Sequence, residues 1–149
     1  MANHEWSLDE LRSKAEAYCA RAEHCCAEVQ TKLQQWGATE AQQQIILDDL
    51  QQNHYIDHAR YCQAFAHDKL LYQGWGKMKI RAALYARRLP DNDVEKALDS
   101  IDEIEYNRIL TRLISSKQRQ LKHDALAREK LIRFCLQRGF VYEEIKDFL

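Results

Sequence analysis

One proline and four glycines in 149 residues leave this chain few places to turn sharply. Sheet proteins need turn residues every eight to twelve positions or so, so the scarcity points to long helices joined by short connections. The commonest residues, Ala, Leu, Gln, Glu, Lys and Arg, are strong helix formers. The length suits one domain with a sizeable core.

Local signals place nine helices. Ser7 with Glu10 forms a capping box and starts a helix through about Glu23. A second runs to about Trp36, with Val29, Leu33 and Trp36 on one stripe, and Gly37 ends it. Thr39 with Gln42 opens a third, with Ile46 and Leu50 facing inward, and Asp57 caps a fourth carrying Tyr61, Phe65 and Tyr72. The break Gly74-Trp75-Gly76 holds half the glycines of the chain. A positive φ is expected at Gly76, and Trp75 is either a buried or half-buried plug over the core, the favoured reading, or an exposed contact. The fifth helix is expected over Lys77 to Arg88 and the sixth around Val94 and Leu98, with Pro90 between them. The seventh spans about Ile104 to Lys117, the eighth Asp124 to Gln137, and a short ninth follows Gly139.

These helices repeat. Val29, Ile80 and Leu131 are each 51 apart, and Leu33, Leu84 and Cys135 keep the same step. Ile46, Val94 and Ile145 match further on, as do Leu50, Leu98 and Leu149, while Tyr18, Tyr61 and Tyr106 open the units. The expected fold is all-α: three tandem three-helix repeats, about 8–55, 57–103 and 104–149, stacked into an elongated, curved, solenoid-like single domain.

The net charge of -1 hides segregation. Residues 1–57 sum to -6, 58–90 to +6, 91–105 to -6, 106–138 to +7 and 139–149 to -2. Basic blocks of this size suit an anionic partner, although they can equally pair with the acidic blocks or stay solvated. At helical spacing Lys77, Arg81, Tyr85 and Arg88 share one stripe. Arg108, Arg112 and Arg119 share another, and Lys130, Arg133 and Gln137 a third.

Ile56-Asp57, Arg60-Tyr61, Phe65, Gly76, Lys79-Ile80 and Leu84 form a set of short motifs, followed by Arg138-Gly139-Phe140 and Ile145. On these the chain resembles the RecX regulatory proteins of bacteria, modulators of the RecA recombinase, over about residues 15–149. The resemblance implies a protein that docks in the groove of the RecA–DNA filament, inhibits ATP hydrolysis and strand exchange, limits filament growth, and acts in DNA repair and the SOS response; a monomer is expected. The residues expected to meet that partner are Lys77, Arg81, Arg88, Arg108, Arg112, Arg119, Lys130 and Arg133. They come from the stripes and are not family contacts.

Nothing in the sequence points to catalysis or a cofactor. No phosphate loop or nucleophile elbow occurs. His54, His58 and Cys62 would share a face on one continuous helix, but Asn53 and Asp57 place His54 before the helix start, so no metal is expected. Five cysteines without a CxxC pair fit a reducing compartment. The start "MANHEWSLDELR" is polar and acidic, and no apolar run reaches the roughly 20 residues of a membrane span, so a cytoplasmic protein is expected. Two alternatives stay open: a helical module binding single- or double-stranded DNA directly, and a generic protein-interaction adaptor.

Overall fold

The computed structural model describes residues 5–149. Among these residues the chain forms nine α-helices, a closing 3-10 turn at Lys146–Phe148, and no strand. The helices are α1 Leu8–Arg21, α2 Cys26–Gln35, α3 Glu40–Gln52, α4 His58–Gln73, α5 Lys77–Ala86, α6 Asp91–Asp99, α7 Glu103–Gln120, α8 Ala127–Gln137 and α9 Tyr142–Ile145.

Their ends follow from local chemistry. The Ser7 hydroxyl accepts from Glu10 N while the Glu10 carboxylate accepts from Ser7 N, each at 3.1 Å. Thr39 and Gln42 repeat this box on α3. The Asp57 side chain accepts from Arg60 N at 2.9 Å to start α4. α2, α4 and α8 are followed by left-handed Gly37, Gly74 and Gly139. After α3 and α5 the same conformation falls on His54 (φ 63) and Arg88 (φ 60), which pay a Cβ penalty there. Two expected boundaries therefore move. α5 stops at Ala86, short of Arg88. α8 starts at Ala127, because Asp124 instead holds a turn by accepting from Leu126 N at 2.8 Å.

The helices pack as α1–α3, α4–α6 and α7–α9, and α4 also meets α7. The repeat positions Val29, Ile80 and Leu131 are buried, as are Leu33, Leu84, Cys135, Ile46, Val94 and Ile145. Two matches of the sequence pattern fail. Leu149 is 37% exposed. Tyr18 is half-buried near the end of α1, whereas Tyr61 and Tyr106 are buried in the fourth positions of α4 and α7. Leu11 holds that fourth position in α1, so helix register and not residue identity defines the equivalence.

Burial divides into two clusters. Leu11, Ala15, Val29, Leu33, Ile46 and Leu50 centre the first unit. A second cluster runs continuously through α4–α9, and Cys25 at the start of α2 joins it. The joint between the second and third units explains the central glycines. Gly76 N donates to Arg138 O at 2.7 Å and Met78 N to Gly139 O at 3.0 Å. A Cβ on Gly76 would lie 2.5 Å from the Gly139 backbone. Gly76 itself has φ -78, so the expected positive φ belongs to Gly74 (φ 64), and Gly76 is required by close approach. Trp75 is half-buried against the core, edge-on to Phe65 at 6.2 Å.

Candidate interaction surface

The two longest basic stripes meet different fates. On α5, Lys77 Nζ pairs with Glu103 at 2.9 Å and lies 4.8 Å from the Tyr106 ring centre. Its backbone N–H donates to the Tyr106 hydroxyl at 3.0 Å, and burial raises that hydroxyl above its ordinary pKa. Arg81 is held bidentate by Glu95, with both bonds at 3.0 Å, and the Tyr85 hydroxyl donates to the same carboxylate at 2.8 Å. These hydrogen bonds raise the Arg81 pKa and hold Glu95 below the usual carboxylate range. Lys77 and Arg81 are half-buried and fasten α5 to α7 and α6, where helical spacing alone suggests two exposed side chains. Arg88 is exposed but lies beyond α5 in the left-handed turn, off the helical stripe it was expected to extend.

On α7, Arg108, Arg112 and Arg119 are exposed on the face opposite buried Leu110 and Ile114. Among the described residues no carboxylate reaches any of the three in an ion pair. The α7 acids, Glu103 and Glu105, sit in its first turn, where they complement the helix dipole. Lys130 and Arg133 do not join this row. With Lys117, Phe134 and Gln137 they line a groove of about 220 Å³ between α7 and α8. Lys130 is paired with Asp124 at 2.6 Å, while Arg133 is exposed and unpaired among the described residues.

A further basic group surrounds Trp75. Lys79 and Lys69 lie 4.5 and 4.8 Å from the Trp75 ring centre, and Arg87 lies 4.7 Å from that of Phe65. Reading one helix at a time missed this cluster, since Lys69 comes from α4 and Arg87 from beyond α5. The signal available in sequence was the recurrence of Lys and Arg around two aromatics.

Burial pushes the Cys19, Cys26 and Cys62 thiols up to about 11, away from the reactive thiolate. His54 lies outside α4, and Cys62 is fully buried, so the spaced trio His54, His58 and Cys62 does not share a helix face.

A profile described as "RecX, second three-helix domain" matches residues 57–98, the α4–α6 unit. A protein of Pseudomonas putida (strain W619) named "Regulatory protein RecX" is 31% identical over 93% of this chain and 88% of its own length. The chain belongs to the RecX family. A namesake from Leptothrix cholodnii is 29% identical over 93% of this chain and 87% of its own length. The fold agrees as well: the crystal structure of RecX from Lactobacillus salivarius superposes with a TM-score of 0.82 at 20% identity, over 94% of this chain and 92% of that one. The RecX relatives are named regulatory proteins, and no helix among the described residues is long and apolar enough to cross a membrane.

Proposed function

We propose that this RecX family member regulates the RecA recombinase by binding its filament on DNA and restraining ATP hydrolysis and strand exchange. The observation that carries the reading is the unpaired arginine row of α7, in a chain whose relatives are named regulatory proteins. Arg108, Arg112 and Arg119 project from one helix with no carboxylate paired to them among the described residues, which suits an extended anionic surface. Arg133 and Arg88 add exposed charge, and Lys130 does so only by giving up Asp124. Lys77 and Arg81, already paired with Glu103 and Glu95, are left out of the proposed contact.

The test is the ATPase of RecA on single-stranded DNA. The wild-type chain should inhibit it, and Arg108→Glu with Arg112→Glu should need about tenfold more protein. An unchanged inhibition curve for the folded double variant would remove α7 from the contact. Binding to bare DNA at rising salt tests the second reading. A steep fall of affinity with salt, tracking the same two arginines, would make phosphate the direct partner.

A further inference from the structure

The middle and third units carry the same pair of cations at matching places. Lys79 and Lys130 are 51 apart, as are Arg87 and Arg138, the step that also relates Ile80 to Leu131. In the third unit both are taken by the fold. Lys130 pairs with Asp124 at 2.6 Å, and Arg138 donates to Gln73 O at 2.7 Å. In the first unit the same positions hold Glu28 and Trp36.

In the middle unit the pair stays unused. Lys79 lies 4.5 Å from the Trp75 ring centre, with Lys69 of α4 at 4.8 Å, and Arg87 lies 4.7 Å from that of Phe65. Among the described residues no carboxylate forms an ion pair with any of the three, and Arg87 donates only to Ala83 O, one turn back. Phe65, Lys69 and Arg87 border a hollow of about 320 Å³ whose acids are engaged elsewhere. Glu23 pairs with Arg60, Glu28 accepts from Cys25 N at 3.1 Å, and Asp68 lies beside His67. The three cations are half-buried, with their charged ends held over the rings, unlike the exposed arginines of α7. Tyr72 and Met78, three residues to either side of Trp75 in the chain, are 80% and 50% exposed.

We propose that this patch holds an acidic segment of a partner protein, with carboxylates on Lys69, Lys79 and Arg87 and an apolar side chain against Met78. Three cations without acids suit an anion, and the exposed methionine next to Lys79 suits an apolar contact. The rings decide between a carboxylate and a nucleic acid. A base would have to displace the cations to reach the ring faces, whereas a carboxylate meets them where they lie. Already held in place, the cations lose little freedom on binding. The patch shares no residue with the α7 row, so it stands whether or not that row meets RecA.

Fluorescence anisotropy in low salt tests it. The probe is a labelled short peptide of Asp and Glu with one central Leu, and its Asn and Gln counterpart is the neutral control. The full chain should bind the acidic peptide and not the neutral one. Lys69→Gln with Lys79→Gln keeps apolar stems beside Trp75 and should weaken binding about tenfold with circular dichroism unchanged. Lys122→Gln with Arg128→Gln removes equal charge from exposed positions elsewhere and should leave binding as it was. With Trp6→Phe and Trp36→Phe, Trp75 is the one tryptophan left, and its emission should change when the peptide binds. A chain that ignores the acidic peptide, equal losses from the two pairs, or binding that leaves the Trp75 emission unchanged overturns the proposal. So does a labelled oligothymidine that binds more tightly than the peptide and is released by the changes at Lys69 and Lys79, which would make the patch a nucleic-acid site.

Discussion

α5 and α7 look alike in sequence and behave differently in the fold. Each carries basic residues at helical spacing, and each belongs to a strongly positive block. α5 is followed by α6, which packs against it and presents Glu95 to Arg81. Lys77, at its start, faces the first turn of α7. α7 buries Tyr106, Leu110 and Ile114 and turns Arg108, Arg112 and Arg119 to its exposed face. The difference teaches that a basic block reports on a partner only after the fold's own acids have been assigned. The -6 block at 91–105 offsets the +6 block before it in charge, and its Glu95 and Glu103 reach back to α5.

The comparison depends on the joint that sets α5 against the third unit, so the largest effect should come from Gly76→Ala. The added methyl would meet Gly139 backbone at 2.5 Å, and backbone cannot yield as a side chain can. A loss of about 3 kcal/mol is expected, at the upper end for overpacking. That corresponds to a fall in Tm of roughly 6–12 °C for a chain of this size. Gly37→Ala is the contrasting change, with open space around it but φ 84, and should cost about 1 kcal/mol. Equal melts for the two would show that the glycine pair is not a close-packed joint.

Next in size, the two stripes should separate cleanly when each is reversed. Arg108→Glu with Arg112→Glu should shift the RecA inhibition curve about tenfold and change stability by less than about 0.5 kcal/mol. Lys77→Glu with Arg81→Glu should do the opposite. It sets new carboxylates against Glu103 and Glu95, and should cost about 1 kcal/mol with inhibition changed less than about twofold. Inhibition lost in the α5 variant at full stability would restore α5 to the contact.

Acid gives a gentler probe of the same lock. Arg81 holds Glu95 below its ordinary 4.5, so the folded state favours the carboxylate. That contribution is present above 4.5 and disappears as pH falls through the lowered folded value. The wild type should therefore exceed Glu95→Gln in thermal stability near neutrality, and the gap should close in acid. A gap independent of pH would mean that the ion pair contributes nothing.

Much of the fold was legible because its causes are local. The capping boxes at Ser7 and Thr39 and the stop at Gly37 depend on residues a few positions apart. The core periodicity of Val29, Ile80 and Leu131 is a property of single helices. The need for Gly76 is not local, because its partner Gly139 is 63 positions away and close approach leaves no mark in the neighbouring residues. The surface was legible only in part. Helical spacing put Arg108, Arg112 and Arg119 on one face, but it could not say that Lys77 and Arg81 would find Glu103 and Glu95, which depends on how α5, α6 and α7 pack. Residue type pairs Tyr18 with Tyr61 and Tyr106, whereas the fold puts Leu11 at their position in the helix.

Arg88 is the one member of the α5 stripe that is both exposed and unpaired among the described residues, and it sets the finest test. Its φ of 60 is a conformation that glycine adopts freely and a side chain adopts at a penalty. The equivalent positions after α2 and α8 carry Gly37 and Gly139. Arg88→Gly should therefore raise stability by about 0.5–1 kcal/mol, offset in part by the greater freedom of glycine in the unfolded chain. If Arg88 is retained for its charge, the more stable variant should also inhibit RecA less well, by about two- to threefold. Arg88→Asn tolerates the same backbone and removes the same charge, so it should reproduce the functional loss with a smaller gain in stability. A gain in stability with inhibition intact in both variants would show that Arg88, like Lys77 and Arg81, lies outside the contact, leaving the third unit as its basic surface.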